Sequence, residues 1–308
     1  MKNLFKIFMF IFIQFFLITC ASSSIEEYDF CNSFTDDRFQ FYLSNNRPIV
    51  KIKINDFVLD FMIDTGTNYN VLTNRGVQKI LPFIHEDKKL EKFDTLKISG
   101  DKLGSIKFSV EFNDKNSTYD GILGTPFLIQ KSEVVSFDYK ANEILFMPTH
   151  VVGKEEPLIP VCVQDYAPVY FMRIQIEDRN EFFVFDTGNE TITLRSNYDV
   201  EKSVYPLEEV IFYLLNNDYT KTNRFKKVKL PSFSYGENIY EDIIAVYNDF
   251  IFSKAYTSGR RILSSFSSAG YPMFKDKIVQ INFKNNTLTI GEYKNNNKKN
   301  WTHQKMTH

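Results

Sequence analysis

The chain carries one pattern twice, and both copies end on the same three residues. In the first copy Pro48-Ile49-Val50-Lys51-Ile52-Lys53-Ile54 leads, through the run from Asp56 to Ile63, into Asp64-Thr65-Gly66. In the second, the run from Pro168 to Ile176 leads, through Glu181 to Phe185, into Asp186-Thr187-Gly188. Each copy reads as an alternating β-strand, a polar turn (Asn55-Asp56; Glu177 to Asn180) and a nearly continuous apolar strand that ends on an acid. Such a strand is expected to be buried on both faces, so its terminal carboxylate emerges from a core. The later parts match as well. Gly121-Ile122-Leu123-Gly124, within Tyr119 to Leu128, precedes a strand, turn and strand over Val134 to Phe146, and Ser268-Ala269-Gly270 precedes the same plan over Ile278 to Ile290.

The repeated acids lie 122 residues apart and the later glycines, Gly124 and Gly270, 146 apart, so the second copy holds an insertion of roughly two dozen residues. The pattern of Pro206 to Leu215, with a proline near the first turn and acids behind it, predicts a helix there. Lys154-Glu155-Glu156-Pro157 reads as a polar hinge between two related units, 40–150 and 157–292. A length of 308 residues suits two units of ordinary size.

Composition removes several classes. With 37 Lys+Arg against 38 Asp+Glu, the formal charge of −1 supplies no basic field to recruit nucleic acid. A hydrophobic fraction of 43% is too high for a disordered chain. His85, His150, His303 and His308 are scattered and there is no C-x-x-C pair, so neither a zinc site nor another metal centre is expected. Ser196, Ser264 and Ser267 lack a Gly-x-Ser-x-Gly context and a nearby histidine, which argues against a serine hydrolase. Gly259-Arg260-Arg261 reads as a solvated loop rather than a binding patch.

Residues 1–19 combine Lys2 and Lys6, an apolar run from Ile7 to Ile18 broken only by Gln14, and a small-residue exit at Ala21-Ser22-Ser23-Ser24, the parts of an export signal. The run is shorter than the about 20 apolar residues of a spanning helix. Leu17-Ile18-Thr19-Cys20 resembles the lipobox of bacterial lipoproteins, with Thr19 where Gly, Ala or Ser is usual. That resemblance implies lipidation at Cys20 and an exported protein anchored in the membrane of a bacterial cell envelope; the other reading is an ordinary cleaved signal. Removing Lys2 and Lys6 takes the charge from −1 to −3. Cys31 and Cys162 remain, and spacing leaves open whether they pair. The tail 293–308 is low-complexity and is expected to be disordered. Of the glycosylation triplets at Asn116, Asn189, Asn285 and Asn300, the one at Asn189 falls inside the second Asp-Thr-Gly loop, which fits a host that does not read the triplet.

Asp64-Thr65-Gly66-Thr67 after an apolar strand, followed by Gly121-Ile122-Leu123-Gly124, resembles the unit of retropepsin-type aspartic proteases, and two units in one chain resemble the pepsin-like arrangement. The likeness covers residues 40 to 292. It implies an all-β, bilobal fold of two related β-barrel lobes with a minor helix, in a chain sufficient as a monomer. It also implies an endopeptidase that needs no cofactor, with a peptide or protein as substrate. Asp64 and Asp186 would be the catalytic pair, because two carboxyls about 3 Å apart cannot both ionise cheaply and one is left as base while the other acts as acid; the handling of a shared proton by aspartic proteases is the general example of this coupling. Gly66 and Gly188 would let the loops approach each other, Thr65 and Thr187 would bond across the junction, and Thr67 and Asn189 would support the acids. The resemblance implies a flap, with Lys88 to Leu103, around Ser99-Gly100-Asp101, as the candidate; the same stretch reads equally as an ordinary hairpin turn.

Two departures stand out. Asn189 occupies a position where the family prefers Ser or Thr, and Ser268-Ala269-Gly270 lacks the aliphatic pair of the first copy. A catalytically silent peptide- or envelope-binding lipoprotein on the same fold is therefore the alternative.

Overall fold

The computed structural model describes residues 25–29, 37–54, 57–83, 95–100, 104–111, 117–162, 167–177, 179–194, 206–212, 223–247 and 267–293. The leader 1–19, Cys20, Cys31, Gly259 to Arg261 and the tail beyond Tyr293 lie outside them. The described residues are all-β, mostly strand with a few short helices.

The repeat read from the sequence is a repeat of topology. In the first half, strand Phe57–Ile63 pairs antiparallel with Arg47–Ile54 and, along its other edge, parallel with Gly121–Leu123, matching Ile63 to Leu123. Asn70–Thr73 then pairs antiparallel with the far side of Gly121–Leu123. The chain thus straddles one short strand, and the loop between its two arms holds Asp64. In the second half Arg179–Phe185 pairs antiparallel with Val169–Ile176 and parallel with Ser267–Ala269, matching Phe185 to Ala269. Ile192–Leu194 takes the far side of that strand, and the loop between holds Asp186.

A third sheet joins the halves. Its order is Arg38–Ser44, Glu143–Leu145, Val134–Asp138, Ile278–Asn282, Thr287–Tyr293 and Glu155–Val161, three strands from each half about an approximate twofold axis. At the axis Ser136 faces Gln280, whose Oε1 accepts hydrogen bonds from the Ser136 hydroxyl at 3.1 Å and the Thr149 amide at 2.8 Å. Where a hinge was expected the chain is a strand, Glu155–Val161: Glu155, Glu156 and Pro157 pair with Thr287–Tyr293 in the joining sheet, and Leu158 to Val161 continue onto Val169–Ile176 of the second half. Apolar side chains from both halves form one contiguous core, with Phe61, Phe108 and Phe137 on one side of the axis and Phe183, Phe185 and Phe274 on the other, all with at most 1% exposure.

Local sequence explains the turns and the short helices. Asn45 and Asn46 take positive φ (49° and 61°) and close a two-residue hairpin, a role suited to asparagine. Helix α1 (Asn74–Ile80) starts at Thr73, whose hydroxyl oxygen accepts the Gly76 N–H at 3.3 Å. Helix α2 (Thr125–Lys131) and the single turn α3 (Tyr271–Phe274) follow Gly124 and Gly270, each with a proline in its first turn. The insertion in the second half differs from its expected form. Pro206–Phe212 is a strand paired antiparallel with Asn223–Lys229, not a helix. The β-branched and aromatic run Val210-Ile211-Phe212 suits a strand once a partner is available, and long-range pairing overrides the local helical pattern.

Candidate active site

Each acid is positioned by the strand its loop straddles. The Asp64 N–H donates to Leu123 O (3.0 Å) and the Asp186 N–H to Ala269 O (3.1 Å), so the two acids leave their cores in equivalent ways. Buried Asp120 fixes the first arrangement from below. Its Oδ2 accepts the Asp60 N–H (2.8 Å) and Lys79 Nζ (2.6 Å), Arg75 Nε lies 2.9 Å from Oδ1, and its backbone N–H donates to Asp60 O (2.7 Å).

The two loops are interlocked. The Thr65 N–H donates to Thr187 Oγ1 (3.1 Å) and the Thr187 N–H to Thr65 Oγ1 (2.9 Å). The Thr65 hydroxyl donates to Phe185 O (2.8 Å) and the Thr187 hydroxyl to Ile63 O (2.9 Å). Both threonines are at most 1% exposed, so these four bonds form away from water. A Cβ on Gly66 would lie 2.6 Å from Asp186 Cγ, and one on Gly188 would lie 2.5 Å from Asp64 Cγ. Each carboxyl therefore rests against the backbone of the opposite loop, an approach only glycine permits. Burial together with the neighbouring Asp64 carboxyl holds Asp186 well above the usual carboxylate range.

The surroundings of the two acids differ. Asp64 is 9% exposed; its Oδ1 accepts the Gly66 N–H (2.8 Å) and its Oδ2 the Thr67 hydroxyl (2.7 Å). At the equivalent place Asn189 turns away from Asp186: its Nδ2 donates to Ser268 Oγ (2.6 Å) and Thr193 Oγ1 (3.2 Å) while its Oδ1 accepts the Thr191 N–H (3.2 Å). Asp186 Oδ1 is shielded from solvent and has no hydrogen-bond partner among the described residues.

Several residues near the acids were not singled out by the sequence. Arg47 forms an ion pair with Glu190 across the two halves (Nη2 to Oε2, 3.6 Å), and its charge acts on Asp186. The repeat offers a signal for it only in hindsight, since the residue before the second copy's proline is Ala167. Asn70 links the site to its neighbour strand, donating to Lys107 O (3.2 Å) and accepting the Gly124 N–H (3.0 Å). Ser268 replaces the first copy's Ile122 and receives the Asn189 amide, so the two departures from the repeat pattern compensate one another.

Strand Gly104–Glu111 runs parallel to Asn70–Thr73, with Phe108 beside Asn70, and pairs with Thr95–Gly100 as a hairpin. Because Asn70–Thr73 leads away from the Asp64 loop, residues 104–107 extend back toward that loop, and the hairpin end at Gly100 and Gly104 lies on the side of the acids. Residues 101–103, including Asp101, lie outside the described ones. Cys162 is an exposed free thiol. Among the described residues, no cluster of three His, Cys, Asp or Glu side chains is gathered for a metal, and no helix is long and apolar enough to cross a membrane. The sequence matches no protein-family model, and a search of curated proteins finds no match.

Proposed function

We propose that the protein is an aspartic endopeptidase with two pepsin-like lobes, acting on an extended peptide through Asp64 and Asp186. The observation that carries this reading is the reciprocal exchange of hydroxyl and amide bonds between Thr65 and Thr187, which holds two carboxyls in contact at the crossing of two equivalent loops. Structural turn acids have no need of such a crossing, because two buried carboxyls in contact destabilise the fold unless a proton is shared. In the proposed reaction a water sits between the pair. The ionised carboxyl removes its proton as the water oxygen bonds to the peptide carbonyl carbon, and the protonated carboxyl gives its proton to the carbonyl oxygen. Collapse of the tetrahedral diol breaks the C–N bond, and the amine leaves with a proton returned by the pair. The hairpin Thr95–Gly100/Gly104–Glu111 supplies the flap, and substrate backbone binds as an added strand.

Cleavage of an unfolded protein at acidic to mildly acidic pH tests the assignment. Asp64→Asn and Asp186→Asn are each expected to lower kcat at least about 1,000-fold with folding intact, since neither acid replaces the other. Retained cleavage in both variants would remove the dyad from the mechanism. Peptide binding without cleavage by the wild type would instead favour a silent binding protein.

Cys20 is proposed as the lipid anchor of an exported envelope protein, on the sequence alone. Cys20→Ser is expected to move the mature protein from the membrane fraction to the soluble one; unchanged partitioning would count against lipidation.

A further inference from the structure

Resting on the proposed dyad, we infer that Asp120 is a positioning residue for Asp64: a buried carboxylate, held by Arg75 and Lys79 of helix α1, to which both arms of the first catalytic loop are tied. Asp120 brackets the peptide of Asp60, its N–H donating to Asp60 O (2.7 Å) and its Oδ2 accepting the Asp60 N–H (2.8 Å). Asp60 stands four residues before Asp64, in the strand Phe57–Ile63 that enters the loop. The Asp120 carbonyl accepts the N–H (3.0 Å) and the hydroxyl (2.9 Å) of Thr73, which ends the outgoing arm and caps α1. From Asp120 the chain runs directly into Gly121–Leu123, where Leu123 O accepts the Asp64 N–H, and on to Gly124, whose N–H donates to Asn70 Oδ1. The arm that enters the loop, the arm that leaves it and the strand between them therefore all meet at Asp120.

The fold alone does not call for this cluster. The second half builds the same straddled strand without it: the pairing of Phe183 with Ser267 sets Phe182 in the place of Asp60 and Phe266 in the place of Asp120. Nor is stability a sufficient reason, since taking a carboxylate out of water is costly and a buried ion pair repays little more than that cost. Asp120 is fully buried, with Lys79 Nζ 2.6 Å from Oδ2 and Arg75 Nε 2.9 Å from Oδ1, the second as a charge contact without an aligned N–H. What the charges add is placement, because charge-assisted contacts are shorter and stronger than neutral ones. Arg75 also donates to Thr118 O (2.5 Å) and to Asp60 Oδ2 (3.3 Å), so α1 grips both the strand that leads into Asp64 and the segment that leads into Gly121–Leu123. Misplacing a reacting group by about 1 Å costs about 100-fold in rate, the scale on which a loosened Asp120 acts.

The test is Asp120→Asn in the full-length protein, which keeps the side chain's size and an acceptor for the Asp60 N–H but removes the charge. With an unfolded protein as substrate, kcat is expected to fall about 10- to 100-fold while KM stays within about twofold of the wild type. Amide hydrogen exchange read by NMR is expected to speed up at least about tenfold at Asp64 and Thr73 while Asp186 keeps its rate. A merely structural role would lower protection in both halves together, because they share one core. Arg75→Gln and Lys79→Gln loosen Asp120 without removing it; they should shift both readouts the same way by smaller amounts, and they carry the test if Asp120→Asn does not fold. Wild-type kcat in the folded variants, or exchange that changes equally or not at all at the two acids, overturns the inference. If exchange follows the expected pattern but the wild type cleaves no peptide, Asp120 still positions Asp64 and the endopeptidase reading falls.

Discussion

Thr65 and Thr187 do more for this fold than their size implies. Each hydroxyl donates to a carbonyl in the opposite half and accepts an amide from the opposite threonine, all in buried surroundings. Valine has the same shape but neither donor nor acceptor. Thr65→Val leaves the Thr187 N–H and the Phe185 carbonyl unsatisfied, and a buried unsatisfied group costs about 1–3 kcal/mol. The variant is therefore expected to lose about 2–4 kcal/mol in urea unfolding, and Thr187→Val a similar amount. Because the two share one network, the double variant should lose clearly less than the sum. Single losses within about 0.5 kcal/mol, the range of ordinary surface substitutions, would show that the interlock is not a source of stability. Arg47 and Glu190 are a different case. Their pair is partly exposed, at 30% and 26% of the side chain, and at 3.6 Å its weight lies in the charge it directs toward Asp186 rather than in stability.

Among the elements, those that repeat were legible in the sequence and those that do not were misread. The strands leading to Asp64 and Asp186 and the paired strands after Gly124 and Gly270 stand where period indicates. Two occurrences of one pattern carry information that neither carries alone, and that is why the site's glycines and threonines could be identified. The strand Pro206–Phe212 has no first-half counterpart to correct a local reading, and its partner Asn223–Lys229 begins eleven residues further along the chain, a pairing that local periodicity does not register. Helices α2 and α3 went unread for another reason: both begin at a glycine with no side-chain cap, so the usual Ser, Thr or Asp signal is missing. The supposed hinge failed because polarity at Glu155 and Glu156 reflects an edge position in the joining sheet, not a linker. Asn189 was visible as a departure, but the direction of its amide depends on Ser268, 79 residues away, and only the fold brings them together.

At the scale of the whole molecule, the continuous core and the six-stranded joining sheet tie both halves into one structure, so the acids at the crossing are coupled to global unfolding. Folding holds Asp186 above its ordinary carboxylate range, through burial and the adjacent Asp64. Between the unfolded value, near 4, and the raised folded value, the native protein thus binds more protons at this site than the unfolded chain. Stability linked to the protonated carboxyl is fully present below that window and is lost as pH rises through it. The molecule is therefore expected to be less stable at neutral pH than this site alone would leave it at pH 4 to 5. Asp186→Asn removes the charge without removing the side chain's volume. Its urea midpoint should exceed that of the wild type at pH 7, and the difference should shrink toward zero as pH falls to the ordinary carboxylate range. Working with the difference between the two proteins cancels the acids remote from the pair, which titrate in both, and leaves the titration of the pair. A gap that is constant with pH would mean that Asp186 ionises normally in the folded state, and a gap that widens toward acid would mean that its folded value is depressed rather than raised.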